Sequence, residues 1–512
     1  METEKRRKEM STVQTELQPI EQKFMDYVKE ITQLGEAIGL MGWDLRTYAP
    51  KKGVEGRSEV IATLSSKIHE MQTSDQMKEY IDTLKGQTDH EIVQKSVEEC
   101  EKDYNQARKI PTAEFKEYVA LQSKAESVWE EAKDKNDFEM FKPYLEKMVE
   151  FNKRFAEYWG YEKHIYNALL DNFEPGVTVD VLDEVFPAVR KSLTELLQKI
   201  QNSSVEVDAS VLTGHFPKEQ QQAFSLEILK RMGYDFDAGR LDETVHPFAT
   251  GLNQGDVRVT TKYDESDFRT AVFGTIHEGG HALYEQNISS ELAYTALQGG
   301  TSMGIHESQS LFWENFVSRT KAFWQNHYDL FLEHAPESFK EVSFEDFFAA
   351  VNEVKPSFIR IEADELTYCL HIMIRYELEK ALISGEIEVG DLPELWNDKM
   401  EEYLGVRPTS NKVGVLQDVH WAGGMFGYFP SYALGYMYAA QFHNTMKSEI
   451  DVEGSIEKGD FTVIKNWLTE NIHKYGKSKK PLEILEDVTG EKLNANHLVQ
   501  HLSDKYSKVY QF

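Results

Sequence analysis

The stretch Thr275–Asn287, TIHEGGHALYEQN, holds two histidines four residues apart, with a glutamate directly after the first. On an α-helix, residues i and i+4 share one face, so His277 and His281 can bind one metal ion. Glu278 would lie beside that ion, where a general base can reach a water molecule. The stretch therefore predicts a buried metal-binding helix. A core helix with two hydrogen-bonded histidines is the alternative.

The same stretch contains two adjacent glycines, which are poor helix formers. Each costs about 1 kcal/mol against alanine in a helix interior. Gly279 and Gly280 therefore predict a compensating close approach, either of another backbone or of a substrate.

A catalytic zinc ion usually takes three protein ligands and leaves one position open, so a third ligand is required. Glu285 continues the helix face, but it lies about 12 Å along the axis from the first histidine, which is too far. The segment GIHESQSLFWENF, residues 304–316, reads as a helix that follows a glycine-rich loop. Either His306 or Glu307 could reach the metal, and spacing leaves both open. We expect Glu314, two turns further, to bond a ligand or to be a surface charge.

Apolar residues recur with a period near 3.6 over most of the chain, which predicts a mainly α-helical protein. One example is the set Phe24, Val28, Ile31, Leu34 and Ile38. No internal repeat or long linker interrupts this pattern. We therefore predict a single domain over residues 1–512, with a helical lobe at 1–240 and a lobe carrying the metal site at 241–512.

One stretch, GDVRVTTKY at residues 255–263, alternates apolar and polar side chains with the period of a half-buried strand. It ends shortly before the helix of His277. A strand beside such a site can bind an extended peptide by main-chain pairing. An ordinary hairpin strand is the alternative.

The 512 residues carry 56 Lys and Arg against 87 Asp and Glu, a net charge of -31. A surface this acidic repels nucleic acids and anionic membranes, so we expect neither as a partner. Cys100 and Cys369 have neither disulfide-framework nor zinc-site spacing, which favours a reducing compartment. The charged start METEKRRKEM lacks an apolar run, and no segment has the roughly 18 apolar residues of a membrane helix. We therefore predict a cytoplasmic protein.

Several motifs follow one another along the chain: HPF at 246–248, DVRVT at 256–260, HEGGH at 277–281, HESQS at 306–310, IRIEADELTY at 359–368, GVLQDVHW at 414–421 and GYFPSYALG at 427–435. The N-terminal segments MGWDLRTYAP and GRSEVIATLSSKIHE add to the set. With these motifs, the chain resembles the carboxypeptidase Taq family of zinc metallocarboxypeptidases over essentially its whole length.

The resemblance implies His277, His281 and Glu307 as metal ligands, with Glu278 as general base and acid. It implies a prolate, helix-rich body with a deep central groove and a small β-sheet beside the active site, similar to the neurolysin-like peptidases. Members of the family are homodimers that use zinc, with cobalt often supporting activity. They release single C-terminal residues from peptides with a free C-terminus, with broad specificity that disfavours proline.

Hydrolysis of a peptide at such a site needs a hydrogen-bond donor for the oxyanion, in addition to the zinc that polarises the scissile carbonyl. Tyr428, Tyr432 and His420 are the candidate donors. The alternative is that these side chains belong to the apolar core, because they lie among aromatic residues such as Trp421 and Phe429.

An exopeptidase must also bind the free terminal carboxylate, which a guanidinium group does with two parallel hydrogen bonds. Arg360 in IRIEADELTY is the first candidate, and Arg258 on the polar face of the strand is the second. A structural ion pair of Arg360 with Glu362 or Asp364 is the alternative. For His246 of the HPF motif, the resemblance favours a place in the groove over the alternative of an ordinary loop histidine.

Three functions fit the sequence: a metallocarboxypeptidase, a related oligopeptidase that cuts internal bonds, and a helical binding scaffold without catalysis. A peptide with an amidated C-terminus separates the first two, because only a carboxypeptidase needs the free carboxylate. The intact His277, Glu278 and His281 argue against the scaffold. We therefore predict the carboxypeptidase.

Overall fold

The computed structural model describes residues 17–512, and helices account for 69% of these residues. The prediction of a mainly α-helical protein is confirmed, and the described residues form one three-stranded sheet. No helix within residues 17–512 is long and apolar enough to cross a membrane. Cys100 and Cys369 are both buried and carry free thiols.

The described chain divides into two compact units. The first contains residues 17–108 and Glu291–Gln298, and the second contains Lys109–Ser290 and Gly299–Phe512. Every residue of the predicted metal and substrate site lies in the second unit. The lobe boundary predicted at residues 240 and 241 falls inside that unit and stays a prediction.

The first unit is built from long helices, because its apolar residues keep the helical period over many turns. The helices are α1 (Pro19–Thr47), α2 (Val54–Gln72), α3 (Asp75–Leu84) and α4 (Glu91–Lys109). Phe24 and Val28 of α1 lie in one buried apolar cluster with Ile81 of α3 and Val97 of α4. The apolar face predicted for α1 is therefore the face that is buried.

The second unit contains the remaining helices and the sheet. The helices are α5 (Thr112–Lys135), α6 (Phe138–Trp159), α7 (Tyr166–Leu170), α8 (Val179–Gln201), α9 (Lys218–Met232), α10 (Arg269–Gln286), α11 (Met303–Leu311), α12 (Lys321–His334), α13 (Phe344–Val351), α14 (Tyr368–Ser384), α15 (Leu392–Leu404), α16 (Pro430–Glu449), α17 (Val452–Glu457), α18 (Thr462–Asn471), α19 (Pro481–Thr489) and α20 (Asn496–Tyr510). Short 3₁₀ turns join several of these helices.

The sheet consists of β1 (Leu241–Glu243), β2 (Ala249–Asn253) and β3 (Asp256–Thr261), in the order β1, β3, β2. The predicted strand is β3, and its valines are buried as the alternation requires. It pairs parallel with β1 and antiparallel with β2. The expectation that this strand pairs with a peptide is therefore wrong, because a middle strand uses its main-chain groups on both sides. Its two neighbours, β1 and β2, are the edge strands of the sheet.

Three helices position the candidate site, since α11 packs against both α10 and α16. Ser302 caps α11 by accepting a hydrogen bond from the N–H of Ile305. At its other end, α11 continues directly into a π-helical segment, Phe312–Ser318. Such segments occur frequently at functional sites, and this one carries Glu314.

Candidate metal centre

His277 and His281 lie one turn apart on α10 and face Glu307 of α11. Their Nε2 atoms are 3.8 and 3.5 Å from the same Oε2 atom of Glu307. One ligand atom of each residue lies within 4.8 Å of the others. Within residues 17–512, this is the one group of three or more His, Cys, Asp or Glu side chains placed to hold a metal ion. Ligands about 2.1 Å from a zinc ion are about 3.4 Å apart, so this donor set fits a metal with one open position. Of the two candidates that spacing leaves open, Glu307 rather than His306 faces both histidines.

Two glycines allow the ligand-bearing helices to approach closely. A Cβ atom on Gly280 of α10 would lie 2.6 Å from the carbonyl oxygen of Gln309 and from the Cα of Ser310 in α11. A Cβ atom on Gly435 of α16 would lie 2.7 Å from the Cβ of Glu307. Larger residues at these positions would push α11, and Glu307 with it, away from the histidines.

The close approach predicted for the two adjacent glycines of α10 is confirmed. Gly280 faces the backbone of α11, and a Cβ atom on Gly279 would lie 2.5 Å from the Cδ2 atom of Leu229 in α9. The unfavourable helix propensity, about 1 kcal/mol per glycine, is therefore offset by packing on two sides of the helix.

Each histidine of the cluster bonds a second side chain through its Nδ1 atom. The Nδ1 of His277 lies 2.9 Å from Oε2 of Glu314, whose other oxygen accepts a hydrogen bond from Arg319 at 2.9 Å. The Nδ1 of His281 lies 2.6 Å from the Nδ1 of His306. Of the two roles expected for Glu314, the structure therefore shows the hydrogen-bond partner.

The carboxylates around the histidines make the cluster suited to a cation. Burial lowers the pKa of His277, but Glu307 and Glu314 outweigh this effect and raise it to about 10. Burial also raises the pKa of Glu278 to about 7, while the charge of His277 and, to a smaller extent, the backbone N–H of Ala249 at the start of β2 act in the opposite direction. Strand β2 is therefore close to the carboxylate of Glu278.

His420, Tyr428 and Tyr432 contact one another. The Nε2 of His420 lies 3.3 Å from the hydroxyl of Tyr432, and the ring centroid of Tyr428 is 5.5 Å from that of His420 and 5.2 Å from that of Tyr432. Burial raises the pKa of Tyr428, and the carboxylates of Glu307 and Glu278 raise it further. Tyr428 is therefore close to the metal cluster and keeps its proton at neutral pH.

Arg360 joins this group, because its guanidinium carbon lies 4.9 Å from the ring centroid of Tyr432. Its Nε and Nη2 atoms are both 3.0 Å from Oδ1 of Asp418, and Oδ2 of Asp418 is 2.6 Å from Arg375. Burial raises the pKa of Asp418, but the two guanidinium groups outweigh this effect and hold it well below its usual range. Two positive charges share one negative charge, so this buried triad carries net positive charge.

The ion pairs that the sequence suggests as the alternative for Arg360 are not the ones formed. Its partner is Asp418, whereas Asp364 accepts hydrogen bonds from the N–H groups of Leu366 and Thr367. Glu362 is exposed. The position of the partner, far along the chain from Arg360, is the reason that the local sequence does not reveal it.

The other two predicted substrate residues lie at the sheet. Arg258 of β3 makes two parallel hydrogen bonds of 2.7 Å to Asp256 on the same strand. His246 is exposed in the loop between β1 and β2.

Two residues that hold the site are absent from the sequence predictions. Arg375 is a charged residue in the apolar run CLHIMIRYEL, and a charge in such a run is the signal that could have found it. Glu174 accepts hydrogen bonds from the hydroxyl of Ser302 at 2.9 Å and from the N–H of Gly304 at 2.7 Å, at the N-terminus of α11. No local pattern marks Glu174, because its partners are distant in sequence.

A family model described as carboxypeptidase Taq (M32) metallopeptidase matches residues 23–506. The chain belongs to this family. Carboxypeptidase 1 of Bacillus subtilis is 57% identical to this M32 chain, over 97% of the chain and 99% of that relative. Thermostable carboxypeptidase 1 of Thermus thermophilus is 41% identical, over 96% of the chain and 98% of that relative. The structure of the M32 carboxypeptidase from Deinococcus radiodurans R1 matches with a TM-score of 0.94 at 33% identity, covering 97% of this chain and 100% of the other.

Membership confirms the resemblance and makes this M32 chain a metallocarboxypeptidase. The family implies a divalent metal and peptide substrates. The two imidazoles and the carboxylate of His277, His281 and Glu307 are the donor types that such a metal accepts.

Proposed function

We propose that this M32 chain is a zinc carboxypeptidase that releases single C-terminal residues from peptides. The proposal includes broad specificity that disfavours proline, and cobalt as a second active metal. The observation that carries it is the buried triad of Arg360, Asp418 and Arg375, whose net positive charge is complemented by an anion. A free terminal carboxylate supplies that charge, whereas an internal peptide bond does not.

In the proposed reaction, His277, His281 and Glu307 hold the metal through both Nε2 atoms and the carboxylate. A bound zinc ion supplies Lewis-acid polarisation of the scissile carbonyl and lowers the pKa of water at the site. Glu278 takes a proton from the attacking water and delivers it to the leaving amine.

The oxyanion that develops on the scissile carbonyl needs a hydrogen-bond donor within the site. Tyr428 is the first candidate, because its hydroxyl is electrostatically coupled to both Glu307 and Glu278. Tyr432 packs against Tyr428 and is itself in contact with His420. Burial lowers the pKa of His420 to about 4, so its ring is neutral at physiological pH. In this proposal the ring accepts a hydrogen bond from the hydroxyl of Tyr432 and so orients that hydroxyl.

Arg360 binds the terminal carboxylate with the part of its guanidinium group that Asp418 does not use. Asp418 holds the opposite part and is itself held by Arg375, so the Arg360 side chain is fixed before the peptide arrives. Arg258 is a weaker candidate, because the carboxylate of Asp256 already balances its charge through two parallel hydrogen bonds. His246, exposed in the loop before β2, would contact the peptide further from its C-terminus.

The peptide main chain pairs with β2 in this proposal. β2 is an edge strand, and its first residue, Ala249, bonds the carboxylate of Glu278. An extended peptide that adds to Ala249–Asn253 as a further strand would pass directly beside the general base.

Hydrolysis of a short peptide with a blocked N-terminus and a free C-terminus tests the proposal. The products of the wild-type protein, the Glu278→Gln variant and the chelated protein are followed by mass, with zinc or cobalt added back. We expect stepwise loss of C-terminal residues by the wild type, loss of activity on chelation, and its return with either metal. Glu278→Gln should lower kcat by at least about 100-fold while retaining bound metal.

The same peptide with an amidated C-terminus is the control. A carboxypeptidase leaves it intact, because Arg360 then faces no carboxylate. Internal cuts, or equal cleavage of the two peptides, would instead show an oligopeptidase. Fully metal-loaded protein that cleaves no peptide would overturn the enzymatic proposal and leave a binding scaffold.

The proposal also includes the cytoplasmic location expected from the composition and the homodimer implied by the family resemblance. Light scattering of the purified chain at several concentrations measures its mass in solution. A mass of one chain at every concentration would contradict the dimer.

A further inference from the structure

His281 is supported differently from the other histidine of the metal cluster. His277 bonds a carboxylate directly, through Glu314. The Nδ1 of His281 instead lies 2.6 Å from the Nδ1 of His306, whose Nε2 lies 2.8 Å from Oε1 of Glu285. Two imidazole rings and a carboxylate thus form a line that ends at the Nε2 of His281.

The hydrogen bonds in this line assign the protons. Glu285 is a carboxylate that accepts, so the Nε2 of His306 carries the proton that is donated to it. With the donor at Nε2, the Nδ1 of His306 is the nitrogen left to accept a hydrogen bond from the Nδ1–H of His281. The lone pair of His281 is consequently on Nε2, the atom 3.5 Å from Glu307. This is the tautomer that a metal ligand needs.

We infer that His306 and Glu285 are positioning residues that fix His281 in its metal-binding tautomer and ring orientation. The inference rests on the proposed zinc site and adds two residues to it. It gives a function to His306, which sequence spacing leaves as a possible ligand. It also gives one to Glu285, which lies too far along α10 to reach the metal.

The surroundings of His306 indicate a built site rather than an accidental contact. A Cβ atom on Gly300 would lie 2.6 Å from Cδ2 of His306 and 2.8 Å from Cε1 of Tyr284, so glycine allows the loop to close over the ring. The N–H of Gly300 donates to the same oxygen of Glu285 that faces His306. Tyr284 packs its ring 5.0 Å from the ring of His306. The ring is therefore packed against Tyr284 and Gly300 and is bonded at both nitrogens.

Two substitutions of His306 separate its hydrogen bonds. His306→Asn places Oδ1 near the position of Nδ1 and keeps the acceptor for His281. His306→Gln places its amide nitrogen near the position of Nε2, keeping the donor to Glu285 but removing the acceptor. Zinc affinity is measured on the full chain by competition with a chromogenic chelator. We expect His306→Gln to weaken zinc binding by about 10–100-fold, with His306→Asn recovering most of the affinity.

A third variant tests the hydrogen-bonded line of His281, His306 and Glu285 without changing the His306 ring that contacts the ligand His281. Glu285→Ala frees His306 to adopt the other tautomer, so zinc binding should weaken by about 10-fold even though His281 and His306 are intact. His327→Gln is the control for removal of a buried imidazole, because His327 bonds the carbonyl of Phe323 in its own helix. Circular dichroism of each metal-free variant verifies folding.

The absorption spectrum of the cobalt-loaded protein reports ligand geometry independently of turnover. We expect the visible bands to shift in His306→Gln and Glu285→Ala and to stay in place in His306→Asn and His327→Gln. The inferred positioning role would be overturned if His306→Gln bound zinc as tightly as the wild type. It would also be overturned if His306→Gln and His306→Asn lost equal zinc affinity. Failure of the proposed function looks different, because a protein that cleaves no peptide can still show these differences in metal binding.

Discussion

At the residue scale, the two candidate arginines differ in the charge that their partners leave behind. Arg258 makes two parallel hydrogen bonds to Asp256, and this carboxylate balances its charge. Arg360 shares Asp418 with Arg375, so the group keeps net positive charge in a buried position. Only the second arrangement gains from a further anion, and we therefore assign the substrate carboxylate to Arg360.

This assignment predicts the effect of Arg360→Lys on peptide hydrolysis. A lysine keeps the charge but loses the planar pair of donors, so binding of the carboxylate should weaken by about 1.5–3 kcal/mol, or about 10–100-fold in KM. The kcat value should change much less. Initial rates over a range of peptide concentrations measure both quantities.

Two other arginines serve as comparisons for that measurement. Arg407→Lys changes a surface residue that pairs with Glu394 and Asp398, and it should leave KM at the wild-type value. Arg258→Lys tests the second candidate. A larger rise in KM from Arg258→Lys than from Arg360→Lys would transfer the role to the sheet.

At the scale of elements, the site depends on how closely α11 approaches its two neighbours. Glycine at positions 280 and 435 permits contacts that a Cβ atom would prevent. Glu174 holds the N-terminus of α11 through the N–H of Gly304 and the hydroxyl of Ser302. These contacts set the rotation and depth of α11 and therefore decide which of its side chains faces the histidines.

Gly280→Ala should displace α11 and weaken metal binding. The added methyl would lie 2.6 Å from backbone atoms of α11, a clash that flexible side chains cannot relieve. Overpacking of this kind costs about 1–3 kcal/mol of stability. Urea unfolding and zinc competition measure the two effects.

Gly274→Ala is the matched control on the same helix. Its added methyl would meet nothing closer than the Oγ1 of Thr261, at 3.9 Å. Replacing a helical glycine with alanine should then stabilise the protein by up to about 1 kcal/mol, with zinc affinity unchanged. Equal zinc affinity in Gly280→Ala and Gly274→Ala would contradict the role given to helix packing.

Glu379 of α14 predicts a pH dependence of stability. It is buried and accepts hydrogen bonds from Tyr166, Trp421 and the N–H of Gly427. Burial is the larger effect and raises its pKa from 4.5 to about 7. The folded state therefore binds more protons than the unfolded chain in this interval, and the stability from Glu379 is full below pH 4.5 and is lost as the pH rises to about 7.

Glu379→Gln removes this titration. The difference in unfolding free energy between the wild type and the variant should decrease by up to about 3 kcal/mol as the pH rises from about 5 to about 8. Urea unfolding at several pH values measures it, and the exposed Glu362→Gln serves as control. A difference that stays constant with pH would show that Glu379 is ionised in the fold throughout.

At the scale of the whole molecule, all three proposed ligands lie in the second of the two compact units. Free zinc at 100 times its Kd should stabilise the structure that binds it by about 2.7 kcal/mol. Hydrogen exchange of α10 and α11 should therefore slow when zinc is added to the chelated protein. Peptides from α3 in the first unit provide the comparison, and a slowing there without a slowing in α10 would contradict the site.

The sequence by itself determined the features that depend on neighbours a few residues away. The helical period, the shared face of His277 and His281, the strand at 256–261 and the need for close packing at Gly280 are all local, and the structure shows each of them. A family resemblance carried by seven motifs added the activity class.

Tertiary structure alone decided which residues of separate segments meet. Spacing left His306 and Glu307 equal, and the packing of α11 turned Glu307 to the histidines and His306 to Glu285. Packing also gave Arg360 the distant partner Asp418 and made β3 a middle strand. The physical reason is that periodicity fixes a face within one element, whereas the rotation and depth of each element follow from contacts with segments far along the chain.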